Sequence, residues 1–500
     1  MGIVQRDALR TTIISYAGMI LGYLNKVFLF LALLSTEEMG LLFLVANIGT
    51  LFAQFSNLGT INTVWKFLPY LRNKEKNHQG FLGYNLLILG SGIVFFTLIA
   101  LVFEPVFSAY FQEKSALFID YYYWIIPIGI GIVLYRFFDS YARALYKNVY
   151  SVFVNEILFR ILTSILLGFY WLNFLSFHEL VLYSSISFLV PALLMFFYLM
   201  KIGEWHVRFR EISIPKKFKK IILSYSLFSY VNTLSAQLVI SLDAIMIAAI
   251  VGLKESGVYM LILFMMRALM VPYASIMRVS STLVAQHWRD RDMVKMDELY
   301  KRVSSISLFI GLYCFLGVWI SRVDLFSLLP DEYAPAVYVF LFLMSARIID
   351  MYMGLNGTIL VTSKKYRYDV LLTGTLIIIV FALNLLLIPI WGMIGAAFST
   401  ATAYLVYNLA RLIFVWVSYK LHPFTKNQVS VILLFGLVLT GIQLLPYDLG
   451  NVWVNIITKS VLVTVLFPGV IYLAKFEPEI VNYVNKIVNA LKGKLTKQKD

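Results

Sequence analysis

Apolar residues fall in long runs separated by short polar segments, and this alternation continues along almost the whole chain. A bilayer core about 30 Å thick needs about 20 apolar residues per helix, and fourteen runs meet that length. They lie at 11–34, 40–63, 81–103, 121–145, 150–172, 180–200, 223–251, 256–280, 303–321, 335–361, 370–389, 393–417, 429–446 and 453–474. The pattern predicts an all-α polytopic membrane protein of about fourteen transmembrane helices. Pro127, Pro191 and Pro272 fall inside these runs, which membrane helices tolerate because neighbouring helices satisfy the freed backbone groups.

Composition agrees with this picture. Of 500 residues 60% are hydrophobic and 14% charged, where a soluble chain carries about a quarter charged, and the mean hydropathy is +0.80. No polar block of domain size interrupts the runs, so the chain reads as one membrane-embedded unit. The single cysteine, Cys314, excludes an intrachain disulfide. The five histidines (His78, His178, His206, His287, His422) lack metal-ligand spacing. No cofactor and no metal is expected.

The net charge of +15 resides in short loops with no interleaved aromatic patch, which argues against nucleic acid and reads as a topology signal. With the N-terminus inside, the inner segments hold 30 of the 42 lysines and arginines, and the outer loops hold only Lys114, Lys254 and Arg322. The excess of basic residues in cytoplasmic loops then places both termini in the cytoplasm. Met1 to Arg10 is short and polar with no cleavage pattern after it, so the first run is an anchor. Gly2 carries no myristoylation motif, because Arg6 stands where Ser or Thr is required. Near the other end, Glu479 to Leu495 aligns Ile480, Val484, Ile487, Leu491 and Leu495, with Lys486, Lys492 and Lys494 elsewhere. That is the pattern of a helix lying on the inner membrane surface.

Signatures recur between the halves. Glu38-Met39-Gly40 matches Glu255-Ser256-Gly257 at an offset of 217, which also pairs Arg72 with Arg289 and Lys74 with Arg291. Arg136-Phe137-Phe138-Asp139-Ser140-Tyr141 recurs as Arg347-Ile348-Ile349-Asp350-Met351-Tyr352 at an offset of 211. Six spans separate the copies, and an even number keeps both in one orientation, so these are parallel repeats about an axis along the membrane normal. The expected organisation is a six-helix bundle at 1–205, a second at 206–425, helices 13 and 14 at 426–475, and a cytoplasmic amphipathic tail at 476–500. A cleft is expected between the bundles.

Nine cations lie inside the spans, and six of them are the candidates for binding: Lys26, Arg136, Arg160, Arg267, Arg278 and Arg347. An Arg or Lys at the centre of a membrane helix costs about 2.5–3.5 kcal/mol, so each needs a partner or a wet cavity. Four acids are available, Asp139, Glu156, Asp243 and Asp350. Arg136 with Asp139, Arg347 with Asp350 and Glu156 with Arg160 are spaced to share helix faces, as internal salt bridges or gating pairs. Asp243 has no such neighbour and is expected to meet a cation across its bundle. Arg143, Arg411 and Lys459 lie near span ends, where snorkelling is the simpler reading. Six cations against four acids leave a positive surplus that suits an anionic substrate, with Lys26 and Arg267 the leading binding candidates.

Several stretches carry a family resemblance: Glu37-Glu38-Met39-Gly40-Leu41, Leu242-Asp243 with Glu255-Ser256-Gly257-Val258-Tyr259, and Pro389-Ile390-Trp391-Gly392-Met393-Ile394-Gly395-Ala396-Ala397. With these the chain resembles the multidrug/oligosaccharidyl-lipid/polysaccharide exporter superfamily, and within it the bacterial O-antigen and polysaccharide flippases. The resemblance implies two six-helix bundles with alternating access in the bacterial inner membrane. It implies a flippase carrying undecaprenyl-diphosphate-linked oligosaccharide to the outer leaflet for surface polysaccharide (lipopolysaccharide, O-antigen) synthesis, with the cations receiving the diphosphate. Related peptidoglycan-precursor flippases carry cavity arginines on helices 1, 2 and 8. Arg267 resembles the helix 8 position, with Met266 where an acid is usual, and Lys26 lies near the helix 1 position. Helix 2 has no basic residue here, which favours a variable surface glycan.

Membrane lipids, a coupling ion (H+ or Na+) and glycan-assembly proteins are the further partners implied. A cation-coupled multidrug antiporter of the same fold is the alternative; that branch commonly carries an acid in helix 1, where this chain has Asn25 and Lys26. A membrane glycan polymerase or ligase needs acid and base groups near the leaflet surface, and the longest outer loop, Glu104 to Asp120, offers few. The chain is therefore expected not to be an enzyme.

Overall fold

The helices begin and end where the chain supplies the chemistry for it. Ser35 and Glu38 form a capping box at one start, Ser176 and Glu179 at another, and Thr425 and Gln428 at a third, each satisfying backbone N–H groups that the first turn leaves open. In the computed structural model residues 3–73, 77–205, 207, 214–444 and 449–485 are described. The membrane-spanning helices are α1 (Arg10–Leu33), α2 (Thr36–Ser56), α3 (His78–Val102), α4 (Tyr122–Ala144), α5 (Val149–Trp171), α6 (Phe177–Lys201) and α7 (Lys217–Ile250). Next come α8 (Leu253–Leu269 and Val271–Asp290, bent by 56°), α9 (Met293–Ile320) and α10 (Asp331–Met353). Then Arg367–Tyr419, Lys426–Gln443 and Val452–Ala474 complete the series.

Twelve unbroken helices of the described chain are long and apolar enough to cross a membrane, and the bent pair makes thirteen. Arg367–Tyr419 is a special case, because 53 residues would extend about 80 Å at 1.5 Å per residue, far beyond one bilayer core. Gly392, at φ 57 and ψ −137, breaks it. The limbs fold back antiparallel: Thr373 hydrogen-bonds Tyr407, Asp369 meets Arg411, and a Cβ at Gly395 would lie 2.3 Å from the Leu387 carbonyl oxygen. They are thus two spans, α11 and α12, with Lys426–Gln443 as α13 and Val452–Ala474 as α14. So divided, the described residues contain the fourteen spans expected.

Two compact units emerge from the packing, residues 1–261 and 262–500. In the first, α2, α4, the first helical turns of α8 and the loop after α3 share a core of Leu41, Leu44, Phe52, Phe111, Phe118 and Tyr122. The loop from Glu104 to Asp120 is not a plain solvated connection. It carries two short helices, buries Phe111 and Phe118, and is tied down by the Ser115 hydroxyl donating to the Ala248 carbonyl at 2.6 Å. In the second unit α13 and α14 pack on α9 through Phe309, Leu316, Val431, Val438 and Phe467. Residues 478–485 are helical, with Ile480 buried in that core and Glu479 paired with Arg302 at 2.6 Å. The rest of the amphipathic tail, with Lys486, Ile487, Leu491, Lys492, Lys494 and Leu495, lies outside the described residues.

Two spans are interrupted. α2 stops at Ser56, where the Asn57 side chain accepts from the Gly59 N–H at 2.7 Å and donates to the Gln54 carbonyl at 2.8 Å, with Leu58 and Gly59 at positive φ. The chain resumes as an amphipathic helix, Thr60–Leu71, burying Val64, Phe67, Leu68 and Leu71 and exposing Trp65 and Tyr70. The run read as 40–63 is therefore a span followed by a separate helix. α8 bends at Met270 just before Pro272, whose ring and missing N–H do not fit a helix interior.

Candidate functional site

Two spans that pack together in the first unit each contain a π-helical turn, Leu24–Leu29 in α1 and Val154–Leu158 in α5. Such turns insert one extra residue and recur at functional sites. Here they admit a polar knot: the Asn25 amide donates to the Arg160 carbonyl at 2.8 Å and accepts from the Ser164 hydroxyl at 2.7 Å. The Arg160 guanidinium bonds the Glu156 carboxylate and the Gly18 carbonyl. Gly18 and Gly22 make the approach possible, since a Cβ at Gly22 would lie 2.2 Å from the Arg160 guanidinium. The expected Glu156–Arg160 pair is therefore formed. Lys26, in the same π-turn, is half-buried with its ammonium 5.1 Å from the Phe43 ring centre.

On α4 the expected Arg136–Asp139 pair does not form. Asp139 takes Arg143, one turn onward, at 2.6 Å and accepts from the Ser151 hydroxyl. Arg136 instead lines a pocket between α4, α5 and α6. Arg143, read as snorkelling, is half-exposed and also an ion-pair partner. The α4 tyrosine of the repeated motif, Tyr141, donates to the Glu204 carbonyl at 2.8 Å, and Glu204 lies within 4 Å of Arg72 and Lys147.

Asp243 of α7 is buried and accepts from the Tyr259 hydroxyl at 2.6 Å. The repeated glycines meet nearby. A Cβ on Gly40 would stand 2.0 Å from the Leu253 carbonyl oxygen, and one on Gly257 2.9 Å from the Gly40 Cα. Only hydrogen allows the starts of α2 and α8 to cross at this distance. Arg267 is exposed in the last turn before the α8 bend, and Arg278 is exposed beyond it.

In the second unit Arg347 stacks on Tyr404 with its guanidinium 5.1 Å from the ring centre. Asp350 accepts from the Asn408 amide at 3.3 Å, and the motif tyrosine, Tyr352, donates to Gln428 at 3.2 Å. Two charged partnerships escaped the sequence reading. Arg411 does not snorkel but is paired with buried Asp369, stacked at 4.2 Å over Tyr407 and packed on Gly357. Lys459 is likewise a buried partner of Asp324, which also accepts from Asn455 at 3.0 Å. These partners are 42 and 135 residues apart in sequence, too far for any local spacing to signal them. Among the described residues no group of three His, Cys, Asp or Glu side chains is placed to hold a metal ion.

The polysaccharide biosynthesis protein family matches the chain over residues 4–284. Among solved structures the chain is similar to the lipid II flippase MurJ in an inward closed conformation, at 15% identity and TM-score 0.73, over 93% of this chain and 99% of that one. It is also similar to a MOP-superfamily transporter from Pyrococcus furiosus, at 15% identity, TM-score 0.57 and coverage of 84% and 96%. An inward-facing multidrug resistance MATE transporter of that superfamily matches at 16% identity, TM-score 0.57 and coverage of 84% and 95%. At these identities the likeness is one of fold. No curated protein matches the chain.

Proposed function

Because the chain belongs to the polysaccharide biosynthesis protein family and has the fold of MOP-superfamily transporters, we propose that it is a flippase for a lipid-linked oligosaccharide. It is a multi-pass membrane transporter of polysaccharide biosynthesis and not an enzyme. The proposed cargo is an undecaprenyl-diphosphate-linked oligosaccharide, moved by alternating access from the cytoplasmic to the outer leaflet of a bacterial inner membrane, with both termini cytoplasmic. The product feeds surface polysaccharide such as O-antigen.

One observation carries the reading: Arg267 is exposed in a membrane span, in the last turn before a 56° break. An ionisable group at that depth marks a substrate path, and broken helices form the binding sites of many transporters. The C-terminal end of a helix favours a cation, which suits Arg267 to meeting a diphosphate. Lys26 and Arg347 supply further positive charge, each beside an aromatic ring. The flippase activity of the similar MurJ structure supports the same class of cargo.

The test is surface glycan in cells lacking the native gene and carrying Lys26→Gln, Arg267→Gln or Arg347→Gln. Export should fall at least tenfold for Arg267→Gln at normal protein level, with lipid-linked precursor accumulating inside. Undiminished export in all three variants would remove the diphosphate role.

A further inference from the structure

The pocket between α4, α5 and α6 is built around a cation and, among the described residues, is lined by no acid. Its volume is about 180 Å³. Arg136, Tyr135 and Asn155 are its polar lining, and Ile132, Phe159, Phe188 and Pro191 complete the wall. The two carboxylates nearest in sequence are committed elsewhere, Asp139 to Arg143 and Ser151, and Glu156 to Arg160. Arg136 has neither an ion pair nor a hydrogen bond among the described residues.

Its depth makes that unusual. Arg136 stands eight residues before the end of α4, about 12 Å along the helix, where a guanidinium without a counter-charge is costly. The π-turn of α5 explains how the pocket acquired its chemistry. Within Val154–Leu158, successive residues part company, with Asn155 lining the pocket and Glu156 drawn to Arg160. The Asn155 amide uses one N–H on the Glu156 carboxylate at 3.2 Å, and a carboxamide has two. The pocket therefore offers a guanidinium fork and an amide donor within aromatic walls of low dielectric, which strengthen attraction to an anion.

We propose that this pocket is an anion site taking a single phosphate group, presented by a phospholipid headgroup or as free phosphate. The planar guanidinium matches two phosphate oxygens at once, and Asn155 reaches a third. The pocket is too small for a sugar chain, so it is not a cargo site for the glycan. The inference does not rest on the export reading, since it concerns a pocket built wholly within the first unit and is read out by binding.

The test uses the unaltered full-length protein, delipidated in dodecyl maltoside and treated with phenylglyoxal, which modifies arginine side chains. Modification of Arg136 and of exposed Arg289 is followed by mass spectrometry in chloride, in inorganic phosphate and with short-chain phosphatidylglycerol. Arg136 should be protected at least fivefold while Arg289 is not. Protection by the lipid alone identifies the headgroup as source, and protection by both shows that the phosphate group suffices. Absence of protection by either, or equal protection at Arg289, overturns the proposal. In native mass spectrometry Arg136→Gln should lose bound phosphatidylglycerol about tenfold while Arg136→Lys keeps part of it. Equal retention by Arg136→Gln also overturns it.

Discussion

The buried Asp369–Arg411 pair ties the two limbs of the α11–α12 hairpin together, and its contribution can be measured. The two side chains are 3% and 14% exposed, so removing one leaves the other buried without its counter-charge. Breaking a buried pair by removing one partner costs about 3–5 kcal/mol. Arg411 keeps its stacking on Tyr407, worth about 0.5–2 kcal/mol, which places Asp369→Asn near the lower end, about 3 kcal/mol. Since 1.4 kcal/mol is a factor of ten, that is about 150-fold in the unfolding equilibrium. Arg411→Met should cost a similar amount by stranding a carboxylate among apolar groups. The double variant removes both charges together, and its loss should be well below the sum, giving a coupling of about 2–3 kcal/mol. The assay is unfolding of the purified protein from mild detergent into dodecyl sulfate, followed by tryptophan fluorescence. Additive single losses, or an Asp369→Asn variant as stable as the parent, would refute the reasoning.

Two further changes follow from the geometry. Gly40→Ala forces a methyl to within 2.0 Å of the Leu253 carbonyl oxygen and should destabilise by about 1–3 kcal/mol. Gly90→Ala, whose added Cβ would meet no described atom within 4 Å beyond its chain neighbours and its own helix backbone, should be neutral or stabilising by up to about 1 kcal/mol; the same unfolding assay compares the two. Burial raises the Glu477 carboxyl above its ordinary value, partly offset by the Thr425 hydroxyl bond. A raised carboxyl favours the packed state below the ordinary value, and that stabilisation is lost as pH rises through the raised one. Hydrogen exchange at residues 478–485, corrected for intrinsic rates, should therefore show weaker protection as pH rises through that window. Glu477→Gln should flatten the response, and protection that grows with pH would contradict the assignment.

The spans were legible because each satisfies a requirement visible in one dimension, about 20 apolar residues in a row. Even the hairpin at Gly392 left a trace, in the Pro389 to Ala397 stretch of small and helix-breaking residues. The break after Ser56 was harder to see, because Asn57-Leu58-Gly59 interrupts an apolar run too briefly to end it. The 3.6-residue period of Val64, Phe67, Leu68 and Leu71 was hidden by a criterion that counts apolar residues without asking which face they occupy. Ion pairs were legible only when local. Glu156 and Arg160 share one helix and were found. Asp139 had cations both three and four residues away, and spacing alone did not choose between them. Packing does: Arg143 reaches Asp139, while Arg136 turns into its pocket. Lys459 and Arg411 were misread because their partners lie on other helices.

The repeated Arg-x-x-Asp-x-Tyr motif shows how scaffold and chemistry separate within one signature. Tyr141 ties α4 to the chain just past α6, and Tyr352 ties α10 to Gln428, just past α12. The tyrosine thus does the same mechanical work in each copy, and a hydroxyl can serve because its target is backbone in one case and an amide in the other. The aspartates also stay structural, one fixing α5 through Ser151 and the other engaging α12 through Asn408. The arginines diverge: Arg136 faces an open pocket, whereas Arg347 lies over Tyr404. A residue retained only for packing would be expected to keep its partner when the unit is duplicated, as the tyrosine keeps its role. Of the three repeated positions, the arginine is therefore the one whose surroundings differ most plainly between the copies, a pocket wall in one and a tyrosine face in the other.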